Sequence, residues 1–268
     1  MSKKIRIGTL ISGSGTNLQA IIDSCESGNT DGEVVFIGSD NPNASGLERG
    51  HRHGIPTFTA DYKSIIEGIK KAPEKIIPPD DFDMNDLISK QSLFSEDFDA
   101  EKMKVFMITR AIAEAKLLEY MKAYPFDLLV LAGFMRTLTP YFIDRINTVP
   151  GNLRIMNIHP SLLPAFPGVD GYGDTFRYGC KIGGCTVHFV DYGEDSGPII
   201  GQKTFQIQEH DTLETIKKKG LSLEWELYSE CIQMFAEDRL KVVEMTHILE
   251  NGKKMRRTVV KIDPRIAG

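Results

Sequence analysis

Asn157 and His159 stand two residues apart in Asn157-Ile158-His159-Pro160-Ser161-Leu162-Leu163-Pro164, directly after Arg154-Ile155-Met156. In an extended strand, residues i and i+2 point to the same side. A carboxamide and an imidazole could then face one reacting atom, the first as a hydrogen-bond donor and the second as a proton carrier. Pro160 and Pro164 stop regular structure and stiffen the loop that follows. Taken alone, the segment reads more simply as a strand end with a capping asparagine and a structural histidine. The rest of the chain has to change that balance.

Ser12-Gly13-Ser14-Gly15-Thr16-Asn17-Leu18 follows an apolar run and precedes helical spacing. Glycines let the backbone approach an anion, and a helix N-terminus offers unpaired N–H groups and a favourable dipole. The loop is not a dinucleotide fingerprint, because GxGxxG requires glycine where Leu18 stands, and it lacks the Gly-Lys-Ser/Thr ending of a Walker loop. It suits a single phosphate monoester, against the plainer reading of an ordinary glycine-rich turn. Asp195, in Gly193-Glu194-Asp195-Ser196-Gly197-Pro198, sits on a tight loop that could hold its carboxylate against an imidazole and favour the protonated ring. Alone it is a turn aspartate. His188 is read by default as a core histidine, with support of the site as the alternative. Leu131-Ala132-Gly133-Phe134-Met135-Arg136-Thr137-Leu138 ends an apolar strand, where open α/β sheets place ligands. There Arg136 could hold a carboxylate, and Phe134, Met135 and Leu138 could line an apolar slot.

The elements that must position these groups alternate. Ile5–Ile11, Glu33–Ile37, Pro56–Thr59 and Asp127–Leu131 read as strands, with helical periodicity through Leu18, Ile21 and Ile22, a short helix over Ser45–His53 and another over Ile108–Met121. Strands apolar on both faces and alternating with helices predict an open, doubly wound, three-layer α/β sheet with a parallel, Rossmann-like N-terminal half. Beyond Gly168, strands at 185–190 and 198–208 and a long helix over Thr212–Ala236 predict mixed or antiparallel C-terminal strands. Glu250-Asn251-Gly252-Lys253 signals a hairpin at about 240–262. Residues 63–107 are acidic and turn-rich in the middle, yet carry Phe82, Leu87, Leu93, Phe94 and Phe98. They are expected to form an insertion lying on a single domain spanning 1–268.

At 268 residues, with 41% hydrophobic and 26% charged residues, the chain can bury a full core as a soluble globular protein. No apolar run reaches the length of a membrane span, and the first strand begins too early for a signal peptide. A net charge of -5 with only short basic runs such as Lys217-Lys218-Lys219 argues against nucleic acid. Cys25, Cys180, Cys185 and Cys231 lack the spacing of a metal site, so structural thiols and a reducing cytoplasm are expected, with no metal.

In order and joint occurrence, the segments Ile11–Gln19, Leu131–Arg136, Asn157–Pro164 and Val187–Val190 with Asp195–Pro198 resemble those of the glycinamide ribonucleotide formyltransferases, the folate-dependent transferases of purine synthesis. The likeness runs from Ile5 to about Phe58 and from about Thr109 to Val242. It implies that Asn157, His159 and Asp195 form a catalytic trio, and that 10-formyltetrahydrofolate donates the formyl group to the amine of glycinamide ribonucleotide. It also implies a phosphate and ribose site at Gly15, Thr16, Asn17 and Glu224. Folate contacts map to Arg110, Met135, Arg136, Thr137 and Leu138, and to Asp191, Tyr192, Gly193 and Glu194. The segment after Pro167-Gly168 is usually rich in His, Arg or Gln in that family, but here reads Val169-Asp170-Gly171-Tyr172-Gly173-Asp174. Small-molecule substrates and a monomer or homodimer are expected.

Other formyl enzymes share the trio. Formyltetrahydrofolate deformylase adds an N-terminal domain, and methionyl-tRNA formyltransferase adds a C-terminal one; neither is expected here. A sugar-nucleotide formyltransferase remains open, since its acceptor is also an amine, and the loop at Gly15–Asn17 favours the ribonucleotide. From a different class, a catalytically silent folate- or nucleotide-binding protein is opposed by the presence of all three trio residues.

Overall fold

The computed structural model describes residues 4–72 and 77–264. Along the chain run β1 (Ile5–Ile11), α1 (Thr16–Glu26), β2 (Gly32–Ser39), α2 (Leu47–Arg52), β3 (Thr57–Thr59), α3 (Tyr62–Lys71), α4 (Met84–Lys90), α5 (Ala100–Met121), β4 (Leu128–Leu131) and α6 (Pro140–Ile146). They are followed by β5 (Ile155–His159), α7 (Gly171–Arg177), β6 (Ile182–Phe189), β7 (Ile199–Gln206), α8 (Leu213–Ala236), β8 (Leu240–Ile248) and β9 (Lys254–Ile262). Seven strands form one sheet in the order β3-β2-β1-β4-β5-β6-β7, parallel from β3 to β5 and antiparallel thereafter. The doubly wound sheet expected from the alternation is therefore present, with its change of strand direction between β5 and β6.

The period of a strand sorts its side chains between two cores. On β4, Leu128 and Val130 join Ile21, Ile22, Leu227 and Tyr228 beneath α1 and α8. Leu129 and Leu131 join Ala113, Leu117, Phe142 and Ile143 beneath α5 and α6. β8 and β9 pair as a separate two-stranded ribbon, with Leu240, Val242 and Val260 packed on the first of these cores.

Five helices depart from the pattern expected of the sequence, α3 and α4 of the insertion among them. α5 begins at Ala100 rather than near Ile108, because Asp99 caps it by accepting from the Lys102 N–H. α6 and α7 carry no expectation from the sequence. α6 starts with Pro140 at its first turn, where a missing N–H costs nothing. α7, with two glycines in seven residues, has weak intrinsic propensity and depends on its surroundings. Leu87 and Met107 of the 63–107 stretch form a small third core with Ala111 of α5 and Tyr141 of α6. That core ties α4 and α5 to α6.

The winding reverses at β1, which has β2 on one side and β4 on the other. The two loops leaving this switch point are joined: Ser12 N–H donates to the Gly133 carbonyl at 3.0 Å, and Met135 N–H to Ser12 Oγ at 2.8 Å. A crevice beyond the carboxyl ends of the strands follows from that topology.

Candidate active site

β5 delivers Asn157 and His159 to the crevice because they alternate with Met156 and Ile158, which are committed to the α1/α8 core. His159 is 3% exposed and held at both ring nitrogens. Nδ1 lies 3.1 Å from Asp195 Oδ2, and Nε2 lies 2.8 Å from the Phe166 carbonyl oxygen. Two acceptors, one on each nitrogen, suit the imidazolium, in which both nitrogens are donors. Burial works against that charge, but the hydrogen bond and charge of Asp195 and the Phe166 carbonyl outweigh it and raise His159 above the ordinary imidazole value. Burial likewise opposes a charged Asp195. The bond and charge of His159 and the Gly168 N–H, at 2.8 Å, win and hold its carboxyl well below the usual range.

Phe166 and Asp195 share a conformation as well as a partner. Their φ angles are 54° and 49°, in the left-handed region that non-glycine residues rarely enter. Such residues cost free energy and persist where their surroundings over-determine them. Here both flank the same ring. Gly171, at the start of α7, completes the enclosure: a Cβ there would stand 2.7 Å from the Pro160 carbonyl oxygen and 3.1 Å from His159 Nε2.

His188 is buried, as its core reading requires, and also touches the site. Its Nδ1 donates to the Phe189 carbonyl at 2.9 Å, which leaves Nε2 to accept from Asn157 Nδ2 at 3.3 Å. The second hydrogen of Asn157 Nδ2 is then available on the cleft side.

The cleft is about 270 Å³ and holds Asn157, His159 and Asp195 at its centre. At one end Asn17 and Glu224 meet, Asn17 Nδ2 donating to Glu224 Oε2 at 2.8 Å. α8 is placed for this by Tyr228, whose Oη lies 3.0 Å from the Leu131 carbonyl oxygen and 2.8 Å from that of Met156. Gly15 and Thr16 do not line the cleft but sit beside it, where Gly15, at φ 67°, opens α1 with no side-chain cap. The first N–H groups of that helix are thus left for another acceptor.

At the other end, Met135, Arg136, Thr137 and Leu138 line the cleft, with Asp191, Gly193 and Glu194 facing them. Met135 is 60% exposed, which for an apolar side chain beside a cavity leaves surface to cover. Arg136 is paired with Asp40 at 2.5 Å, a partner with no signal in the sequence pattern. Tyr192 turns away from the cleft, its hydroxyl donating to Asp144 Oδ1 at 2.6 Å. Arg110 lies behind the lining, its guanidinium 4.9 Å from the Phe106 ring centre and 6.0 Å from that of Tyr62. Its Nε and Nη1 are buried without partners. Burial and the nearby Arg136 lower its pKa. Four amino acids down α5, Glu114 is fully buried and accepts from Thr139 N–H at 2.8 Å and Thr139 Oγ1 at 2.5 Å. It thereby pins the far end of the 133–138 loop.

The four cysteines are free thiols, and burial pushes Cys25 up to about 11 and Cys185 to about 12. Among the described residues no helix is long and apolar enough to cross a membrane.

A switch-point crevice with an Asn–His–Asp cluster at the carboxyl end of β5 defines a class, and the chain belongs to it: residues 5–232 match the formyl transferase family. The chain is 33% identical over 228 residues to the phosphoribosylglycinamide formyltransferase of Bacillus subtilis (strain 168), covering 85% of this chain and 93% of that one. It is 32% identical over 240 residues to the enzyme of that name from Escherichia coli (strain K12), covering 90% and 91%. Among solved structures, glycinamide ribonucleotide transformylase 1 from Symbiobacterium toebii superposes with a TM-score of 0.67 at 35% identity, covering 98% of this chain and 95% of that one.

Proposed function

We propose that this protein transfers the formyl group of 10-formyltetrahydrofolate to the amine of glycinamide ribonucleotide, giving formylglycinamide ribonucleotide and tetrahydrofolate in de novo purine synthesis. The observation that carries the reading is His159, fixed by Asp195 on one nitrogen and set two residues from Asn157 at the strand end. The names of the relatives support the acceptor and the formyl group.

In this reading the amine nitrogen attacks the formyl carbon, and the carbonyl oxygen takes up negative charge. The free N–H of Asn157 donates to that oxyanion, a contribution of about 3–4 kcal/mol by analogy with single oxyanion donors. Collapse of the intermediate breaks the bond to the folate nitrogen. His159, charged in the resting protein, delivers a proton to that leaving nitrogen and recovers one from the attacking amine, so protons balance over the cycle. The Nε2 proton, held on the Phe166 carbonyl in the free protein, is the one available for this; the Nδ1 proton stays with Asp195. Asp195 keeps the ring oriented and charged without itself being protonated.

The Asn17 and Glu224 side chains would take the ribose of the acceptor, and the uncapped start of α1 at Gly15, Thr16 and Asn17 its phosphate. The slot of Met135, Arg136, Thr137 and Leu138, with the Asp191–Asp195 loop, would take the folate. The protein would work on small molecules in a reducing cytoplasm, its cysteines remaining free thiols.

The test is the absorbance change of the folate on mixing protein, 10-formyltetrahydrofolate and glycinamide ribonucleotide. Turnover that requires the nucleotide supports the reading. Hydrolysis of the folate without acceptor identifies a deformylase instead, and binding without turnover identifies a silent binding protein.

A further inference from the structure

Glu224 is held from two sides by residues of different elements. Its Oε1 accepts from Tyr172 Oη of α7 at 2.7 Å, and its Oε2 accepts from Asn17 Nδ2 of α1 at 2.8 Å. All three residues are buried, but only Asn17 and Glu224 line the cleft. A carboxylate has about four lone-pair sites, so each oxygen retains acceptor capacity after these two bonds. Because only an amide nitrogen can donate to a carboxylate, the Glu224 bond also fixes which way round the Asn17 carboxamide sits. Its Oδ1 is left buried without a partner. Glu224 and Asn17 Oδ1 thus put two acceptors side by side at the acceptor end. They suit hydroxyl or N–H donors of a ligand and would repel phosphate oxygens.

Tyr172 is built into this arrangement from the helix side. Gly220 lies inside α8, where glycine is disfavoured. A Cβ at Gly220 would come within 2.1 Å of Tyr172 Cζ and 2.2 Å of its Oη. The long helix therefore carries no side chain where the tyrosine ring docks, one turn before the glutamate that the tyrosine holds.

We infer that Tyr172 is a positioning residue for acceptor binding: its hydroxyl fixes the Glu224 carboxylate, which receives the sugar hydroxyls of the acceptor nucleotide. This deepens the formyl-transfer reading and rests on it. The physical need is clear from the surroundings. Burial pushes Glu224 above the ordinary carboxylate value, and the bonds from Asn17 and Tyr172 and the charge of His159 offset part of that rise. The titratable groups around it are His159, Tyr172, Cys185 and Tyr228. Burial, then Glu224 itself, push Tyr172 up, so its hydroxyl remains a donor at every working pH.

Tyr172→Phe keeps the ring against Gly220 and removes only the donor. With both substrates varied in turn, its KM and calorimetric Kd for glycinamide ribonucleotide are expected to rise about tenfold. The KM for 10-formyltetrahydrofolate and kcat at saturation should stay within about twofold. The weakening should grow as pH falls from 8 to 6, because Glu224 protonates more readily without its donor. A role in packing alone would not produce that pH dependence or that split between substrates. Gly220→Ala, which displaces the hydroxyl without altering the tyrosine, should give the same split. An unchanged KM and Kd for the nucleotide in Tyr172→Phe overturns the inference, as does an equal rise in both KM values. A wild-type protein that fails to formylate the nucleotide instead removes the reading beneath it, and the inference with it.

Discussion

Asp195 Oδ2 meets His159 Nδ1 at 3.1 Å across a carboxylate only 13% exposed, and each group shifts the other toward its charged form. The effect on stability has a defined window. His159 is raised in the fold, so its share is fully present below the unfolded value of about 6.5 and is lost as pH climbs through the raised value. Asp195 is depressed, so its share is present above about 3.9 and is lost as pH falls through its folded value. The pair therefore supports the fold most fully between about pH 4 and 6.5. Asp195→Asn removes the acceptor charge and leaves the burial. The His159 ring, followed by NMR titration, should then titrate below the ordinary imidazole value, and turnover should fall by about 10²–10⁴. A ring that titrates where it did before would show that Asp195 does not set its charge.

Asn157 gives one N–H to His188 and keeps one for the cleft. If that second donor meets charge only as it develops, its loss should lower kcat and leave both KM values nearly unchanged. Asn157→Ala is expected to lose about 10²–10³ in kcat. Asn157→Asp would add a second carboxylate beside Asp195 and should be worse still. A rise in KM with kcat intact would make Asn157 a ground-state contact and remove it from the oxyanion.

What could be read from the chain followed the reach of each physical signal. Period-2 and period-3.6 patterns are local, so β1, β2, β4, α1 and α8 were legible, and the parallel half followed from their alternation. The i, i+2 spacing placed Asn157 and His159 on one side, because a strand allows no other arrangement. Partners that meet only through the fold left no such trace. Asp40 for Arg136, Glu114 for Thr139 and the Phe166 carbonyl for His159 are paired across 96, 25 and 7 residues by tertiary packing alone. α7 leaves no local trace for the same reason, since Gly171 and Gly173 lower its propensity and its place is set by contact with Pro160 and α8. One local signal does mark this docking: a glycine inside the long helix, Gly220, shows where another side chain must enter.

Glu114 offers a test away from the reacting atoms. Burial pushes its carboxyl up to about 7, against the two bonds from Thr139 and the charges of Arg110 and Arg145. An acid whose folded value is raised binds more protons folded than unfolded, so stability falls as pH rises between the unfolded value near 4.5 and about 7. The span of about 2.5 units (7 minus 4.5) corresponds to roughly 3 kcal/mol as an order of magnitude. Glu114→Gln retains an acceptor for the Thr139 N–H and cannot ionise. Denaturant midpoints at pH 5.5 and 8 should differ less in this variant than in the wild type. An identical pH dependence in both would mean that Glu114 titrates normally in the folded protein.

The stretch between residues 63 and 107 reaches the Asp191–Asp195 side of the cleft through Tyr192. Ser92 N–H donates to the Tyr192 carbonyl at 3.0 Å, and Tyr192 Oη donates to Asp144 Oδ1 at 2.6 Å. The other oxygen of Asp144 accepts from Lys90 of α4 at 2.8 Å, and Lys90 also reaches Asp86 at 2.7 Å. Gly193 fits beneath this brace because a Cβ there would stand 2.2 Å from Ser196 Oγ and 2.9 Å from Ser92 Oγ. The loop so held carries Asp191, Gly193, Glu194 and Asp195 to the cleft. Tyr192→Phe should therefore raise the KM for 10-formyltetrahydrofolate about fivefold while leaving that for the nucleotide unchanged, since a hydrogen bond to a charged group is worth at least that much. Lys90→Ala should act in the same direction but less strongly, and its effect should shrink with added salt because the pair is part-exposed. Initial rates with each substrate varied separately decide the matter. A lowered melting temperature with both KM values intact would reduce the brace to a stabilising contact with no part in holding the Asp191–Asp195 loop for ligand.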